Sequence, residues 1–345
     1  MGGSLLKDKG ATRITTEKYN DVYVPALTEL LDKIGIRFEF VRFYHEKPDH
    51  GDINILINRS TIINKLDTVV SLNPNRKEVV CKYLTEQGYQ LYRNQDVVSF
   101  LFDGCLQVDL IFTATKSFDY ATNYFAWNDL GGLVGRLSRG LGLKHGHQGL
   151  YYVQYNEDKT EKLGEHLLTL DYDVTLDILG LDVKRFHQGF NNLEEIYEFI
   201  VKSPYFGTRA FILEDLPCKN RHRDSKRNTF IGFEEYIQAN MKRLPEACGI
   251  LPKDKEAFIL QLFPHIQQDV DACKQAYKER KEIAAKFNGN IIMEMYPELT
   301  GKDLGGFIGK FKNKYSKDYL LNASPEQIVA DIRNFKEGGE WSVPS

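Results

Sequence analysis

Three residues carry the chemistry most worth following. In the run HGDINILIN, Asp52 and Asn54 lie two positions apart, so an extended backbone puts both on one face of a strand. Further along, CLQVDLIF sets Asp109 in the middle of an apolar run. A carboxylate inside a hydrophobic strand is costly unless something partners it. Two neighbouring strands that each present an acid at one edge form a site for Mg²⁺. Hard divalent ions take carboxylate oxygens and leave room for substrate phosphates. A pair of such ions activates an attacking oxygen and stabilises a leaving pyrophosphate. The same residues also fit a purely structural reading, in which Asp52 caps a turn and Asp109 pairs with a basic side chain.

The surrounding pattern says what must hold these groups. Residues 16–35 repeat Val22, Leu27, Leu30, Leu31 and Ile34 at helical spacing, with Thr15 or Thr16 as cap and Gly35 as stop. Residues 36–44 are aromatic and branched, as in a strand. After the polar turn HEKPDHG, residues 52–58 alternate: Ile53, Ile55 and Ile57 point one way, Asp52, Asn54 and Leu56 the other. A helix is expected over 75–87, and strands over 89–93, 97–102 and 106–112, with the pair Asp103–Gly104 as a turn. That order describes a mixed sheet with helices packed on it. Beyond about residue 125 the pattern reads as helical, with helices over 129–141, 192–202, 232–243, 255–263, 264–287, 301–314 and 325–335. Pro264 suits the first turn of a new helix.

With these elements in view, the chain resembles the DNA polymerase β-type nucleotidyltransferase superfamily over roughly residues 16–155. GDINIL and VDLIF are similar to the family's strand-borne acidic pair and its later third acid, in order and in strand character. Downstream, YFAWNDLGGLVGRLSRGLGLKHGHQGLY is similar to the segment that lies beside the incoming nucleotide. Its wording NDLGGLVGR also resembles nucleotidyltransferases of phages and large viruses. The resemblance implies an α+β fold: a nucleotidyltransferase-like palm with a mixed β-sheet over residues 1–155, then a mostly helical C-terminal domain over 156–345. It implies Mg²⁺ at Asp52 and Asp109, with Asn54 as a further member of the catalytic set. It also implies a nucleoside or deoxynucleoside triphosphate against Arg42, Tyr124, Phe125, Asn128, Asp129 and Arg136. Two departures stand out. Asn54 replaces the second acid of the pair, removing a negative charge and a strong metal ligand. Val41 and Arg42 replace a Gly-Ser pair that holds nucleotide phosphates; Arg42 can still reach a phosphate through its guanidinium.

Other features bear on partners. The chain has 345 residues, 45 Lys plus Arg, 48 Asp plus Glu, and a net charge of −3, so any contact with a polyanion must be local. The local candidate is KNRHRDSKRN, read either as a solvated polar loop or as a loop in which Lys219, Arg221, Arg223, Lys226 and Arg227 track the phosphates of an RNA or DNA end. Lys310, Lys312 and Lys314 fall on more than one helix face, and TGKDLGGFI is similar to the helical tails of tRNA-modifying nucleotidyltransferases. Tyr151, Tyr152 and Tyr155 either stack on bases or pack a sheet edge. Asp171 and Asp182 read as helix caps. His145 and His147 form a His-x-His pair with no third ligand nearby in sequence. Five cysteines without metal-site spacing suit reduced thiols. Mean hydropathy is −0.41, and the N-terminal run MGGSLLKDKGATRITTEKY has no apolar stretch of signal-peptide length, so a cytoplasmic protein without a membrane span is expected.

Three functions follow as expectations. The first is Mg²⁺-dependent transfer of a nucleotide to a hydroxyl, at a nucleic acid 3′ end. The second is a catalytically inactive protein of the same fold with a binding or structural role. The third is a transferase that nucleotidylates a small molecule or a protein. The sequence offers no signal for an oligomer.

Overall fold

In the computed structural model, which describes residues 5–62, 76–212, 214, 218–247 and 250–338, the chain is α+β. The order opens with β1 (Ile14–Thr15) and α1 (Thr16–Lys18), which runs through a π turn, Tyr19–Tyr23, into α2 (Val24–Asp32). Thr15 caps α1 by accepting from Lys18 N, and Gly35, at φ 71°, ends the segment in a conformation that favours glycine. Next come β2 (Ile36–Phe40), β3 (Asp49–His50), β4 (Ile53–Ile62), α3 (Arg76–Glu86), β5 (Leu91–Asn94), β6 (Val97–Phe102) and β7 (Leu106–Thr113). Then α4 (Phe118–Phe125) and α5 (Leu130–Gly140) precede β8 (Leu143–Gly146), β9 (Gly149–Tyr155) and β10 (Lys162–Thr169). The helices α6 (Tyr172–Ile178), α7 (Val183–Gln188), α8 (Leu193–Val201), α9 (Cys218–Asp224), α10 (Asn228–Asn240) and α11 (Lys255–Leu262) follow. The chain continues with α12 (Gln267–Lys286), α13 (Gly289–Met295), α14 (Gly301–Lys314), α15 (Lys317–Asn322) and α16 (Pro325–Glu337).

The central sheet has the order β2-β4-β7-β6-β5 among the described residues. It is mixed: β4 and β7 run parallel, and the other pairs are antiparallel. The alternation in β4 has the consequence the residue pattern implies. Ile53, Ile55 and Ile57 join Val108, Leu110 and Phe112 of β7 in a core closed by Leu27 and Leu31 of α2 and Val80 and Leu84 of α3. The opposite face carries Leu56 and Ile111 against Phe118 and Ala121 of α4. Burial of both faces drives this layering, because each apolar side chain so covered contributes roughly 1.5–3 kcal/mol. Asn54 and Asp109 are register partners, so both lie on the α4 face.

Two regions differ from the residue pattern. The helical reading beyond residue 125 is interrupted by a sheet of order β10-β9-β8. Period-two burial shows in β9, where Leu150, Tyr152 and Gln154 are buried, and Tyr152 packs on His166 while donating to Glu256 Oε2 at 3.0 Å. KNRHRDSKRN is not a loop, since Cys218–Asp224 form α9. It has no Gly or Pro to stop a helix, and Asp224 at its end is buried against Arg136.

The chain separates into two compact units. One comprises Met1–Val153 with Glu165–Pro264, the other Gln154–Gly164 with His265–Ser345. Residue 155 ends β9. The second unit is a set of helices around Phe287, Phe307, Phe311, Ile328, Ile332 and Phe335. Its segment from 154 to 164 is bound to α12 by Gln154 Nε2 donating to Val270 O at 3.1 Å and by Asn156 with the Tyr277 hydroxyl at 3.1 Å. A capping box between Ser324 and Gln327 starts α16. Among the described residues, no helix is long and apolar enough to cross a membrane.

Candidate functional site

A cavity of about 190 Å³ opens beside the N-terminal end of β4 in the first unit. That is well beyond the roughly 10–15 Å³ one water needs. Asp52 and Asn54 line it from the start of β4. Arg42 and Lys47 come from the connection between β2 and β3, Tyr124 and Phe125 from the end of α4, and Asn128 and Asp129 from the turn before α5. Arg227, just before α10, completes the cationic side. Tyr19, Phe43 and His50 add an aromatic wall: the His50 ring packs 4.4 Å from that of Tyr19 and 4.3 Å from that of Phe43.

The acids differ in environment. Parallel pairing sets Asn54 beside Asp109, and antiparallel pairing sets Ser99 on its other flank. Asp109 is buried under the cavity and is not one of its lining residues. Gln107, two positions earlier on the same face, donates Nε2 to both carboxylate oxygens of Asp109 at 3.1 Å. Gln107 is itself held by Leu6 N, which donates to its Oε1 at 3.0 Å, and Leu6 is buried. Burial raises the Asp109 pKa and the nearby Asp52 charge pushes the same way, while the hydrogen bonds from Ser99 and Gln107 oppose both. The Asn54 side-chain oxygen is buried without a hydrogen-bond partner, an arrangement that normally has a reason.

The turn that carries Asn128 and Asp129 is shaped by unusual backbone. Trp127 and Asn128 have φ of 59° and 62°, left-handed values that L residues adopt at a cost of about 1–2 kcal/mol each. Trp127 is fixed from both sides. Its N donates to Arg42 O at 2.9 Å, and its ring meets Phe190 at 5.8 Å. Gly189 passes so close that a Cβ there would stand 2.6 Å from the Trp127 ring. The NDLGGLVGR run has an equally local reason: a Cβ on Gly131 would meet Tyr124 O at 2.1 Å, so only glycine lets α5 start against α4.

The residues singled out by pattern therefore divide. Asp52, Asn54, Arg42, Tyr124, Phe125, Asn128, Asp129 and Arg227 share the cavity wall, with Asp109 beneath it. Arg136 does not reach the cavity. It donates to Asp224 at 2.5 Å and to Phe211 O at 3.1 Å and lies over the Phe230 ring at 4.5 Å, all out of solvent. Of the basic cluster, Arg227 pairs with Asp129 at 2.6 Å, Arg221 donates to Glu214 O at 3.2 Å, and Lys226 contacts His222 at 3.0 Å. The side chains of Lys219 and Arg223 lie outside the described residues, as does Cys248. His145 is half-buried, with Nδ1 3.1 Å from Gly131 O. Among the described residues, no group of three or more His, Cys, Asp or Glu could hold a metal ion. A donor set that counts amide oxygen reads differently: the Asp52 and Asp109 carboxylates with the unpartnered Asn54 oxygen suit one hard cation. Lys47 and Tyr19 had no signal in the residue pattern. HEKPDHG reads as a solvated turn, yet its backbone is held to Phe190 and Asn191 as well as to Thr16, with Lys47 on the cavity wall.

No family model matches this chain, and no curated protein matches it. Among solved structures it is similar to polymerase beta of Leishmania infantum in a ternary P/T complex, at a TM-score of 0.36 and 14% identity, over 50% of this chain and 74% of that one. At that TM-score the likeness assigns no role to any residue of this chain.

Proposed function

We propose that this chain is a nucleotidyltransferase that binds a nucleoside triphosphate in the cavity beside β4 and transfers its nucleotidyl group to a hydroxyl at an RNA or DNA 3′ end. The observation that carries the reading is the register of β4 on β7. It brings Asn54 and Asp109 side by side, next to Asp52, at a cavity with Arg42, Lys47 and Arg227 on its wall. Acids that can hold a cation and cations that can hold phosphates thus meet in one place. Asp52, Asp109 and the Asn54 oxygen would hold Mg²⁺, which when bound neutralises phosphate charge. The attacking hydroxyl oxygen would bond to the α-phosphorus as the bond from that phosphorus to the bridging oxygen breaks, its proton passing to solvent and pyrophosphate leaving. Tyr124 and Phe125 offer ring faces for a base.

Asn54 favours a second reading, a protein that binds nucleotide without transferring it. An amide ligand brings no charge, and Gln107 already occupies both oxygens of Asp109.

Incubation of the full chain with MgCl₂, labelled ribo- and deoxynucleoside triphosphates and RNA or DNA 3′ ends separates the two. Transfer by the natural chain, lowered at least ~100-fold in D52N and D109N, is expected. No transfer by the natural chain, with transfer appearing in N54D, supports the second reading. No transfer by either sinks the enzyme. Label on the protein or on a small hydroxyl compound would move the acceptor away from nucleic acid.

A further inference from the structure

Three cations line the cavity, and two already have local partners. The Arg42 guanidinium donates to Asn123 Oδ1 at 2.5 Å and stands 5.1 Å from the Trp127 ring and 5.8 Å from that of Phe186. It is a bolt for the turn at 126–129 more than an arm into the cavity. Arg227 donates to Asp129 at 2.6 Å. Lys47 is different. Its ammonium lies 5.7 Å from the Phe43 ring, and the charges of Asp52, Asp49 and Asp129 attract it. Its backbone is nevertheless pinned: Lys47 N donates to Tyr44 O at 3.2 Å, Thr16 donates its hydroxyl to Lys47 O, and Thr16 N donates to Pro48 O at 3.1 Å. A fixed stem therefore presents a partly buried ammonium to a cavity where, among the described residues, no carboxylate forms an ion pair with it. Burial lowers its pKa, which is the expected mark of a charge short of solvation. A compact, rotatable ammonium suits a phosphate oxygen as a point charge.

We propose that Lys47 is the cation that takes the phosphate tail of the ligand in this cavity, an inference that rests on the nucleotide reading given above. Its role is binding the polyphosphate.

Calorimetric binding of ATP, adenosine and inorganic tripolyphosphate to the full chain tests this, with K47A, K47Q and K47R. K47A and K47Q are expected to weaken ATP and tripolyphosphate on the order of 10-fold or more, to leave adenosine unchanged, and to melt like the natural chain. K47R, which keeps the charge, is expected to recover part of the ATP affinity. ATP affinity unchanged in K47A overturns the proposal, as does an equal loss for adenosine and ATP. Natural chain that binds ATP while K47A does too leaves the nucleotide reading intact without Lys47. Tripolyphosphate held in a Lys47-dependent way by a chain that ignores ATP keeps Lys47 and removes the nucleotide. Binding of none of the three removes both.

Discussion

Asp129 stands just before α5 and Arg136 stands within it, and each pairs with the short stretch from 224 to 227. Asp129 meets Arg227 at the cavity, where the two side chains keep 22% and 30% of their exposure. Arg136 meets Asp224 where the side chains keep 2% and 0%. The distances, 2.6 and 2.5 Å, are nearly equal. Geometry alone would rank the pairs together, and solvent separates them. In the buried pair each charge has given up water and depends on its partner. In the cavity pair water remains a competitor, so Arg227 can exchange Asp129 for another anion at small cost. One helix thus fixes the 224–227 stretch at its buried end and leaves it a changeable contact at its open end.

The largest expected effect lies at the buried end. R136A removes the Arg136 guanidinium from the buried Asp224 carboxylate and is expected to lower the free energy of unfolding by about 3–5 kcal/mol. R136M with D224L removes both charges and is expected to recover most of that loss. Urea denaturation of the two variants and the natural chain measures both. A loss under ~1 kcal/mol in R136A would put the pair in the class of surface ion pairs and erase the contrast.

This pair also shows where the sequence stops being readable. The helix around Arg136 follows from local periodicity, but its partner lies 88 positions away. Nothing nearby distinguishes an arginine aimed at a nucleotide from one aimed into the core. Features set by neighbours in sequence were legible: the two faces of β4, the caps Asp171 and Asp182, and the glycine stop at Gly35. The strand faces of Asn54 and Asp109 were legible for the same reason. Features set by distant packing were not. The β8–β10 sheet competes with a glycine-rich helix immediately before it, and the left-handed turn at Trp127 and Asn128 needs Gly189 and Arg42 to hold it. Lys47 belongs to the same group, since its backbone is held by residues distant in sequence, Thr16 among them.

A second contact of α5 answers to pH. His145 bonds Gly131 O through Nδ1, and burial lowers its pKa to about 4. The unfolded chain takes up that proton below about 6.5, while the folded chain refuses it until about 4. Stability is therefore flat above pH 6.5 and falls as pH drops from 6.5 toward 4, by about 3 kcal/mol for this group at the lower limit. His50, also lowered to about 4 by burial, adds a fall of the same sign. The difference in unfolding free energy between the natural chain and H145N, measured from pH 4 to 8, isolates the His145 share. A difference that stays constant over that range would mean that His145 protonates inside the fold and that the buried side of α5 is open to water.

The smallest effect belongs to the cavity end. R227A is expected to cost no more than about 1 kcal/mol, because both partners remain partly hydrated. What loss there is should shrink with salt, since charges that reach solvent are screened over a Debye length of about 8 Å at physiological ionic strength. The R136A loss should hardly change over the same range, because the buried pair has no ions near it. Urea unfolding at about 0.05 and about 0.5 M NaCl compares the two directly. A loss above ~2 kcal/mol in R227A, insensitive to salt, would make the Asp129 pair part of the scaffold. Arg227 would then have no freedom to turn toward a phosphate, and the anion would depend on Lys47 alone. A small, salt-sensitive loss leaves Arg227 available, so an incoming phosphate would draw on two cations and release Asp129 into the cavity.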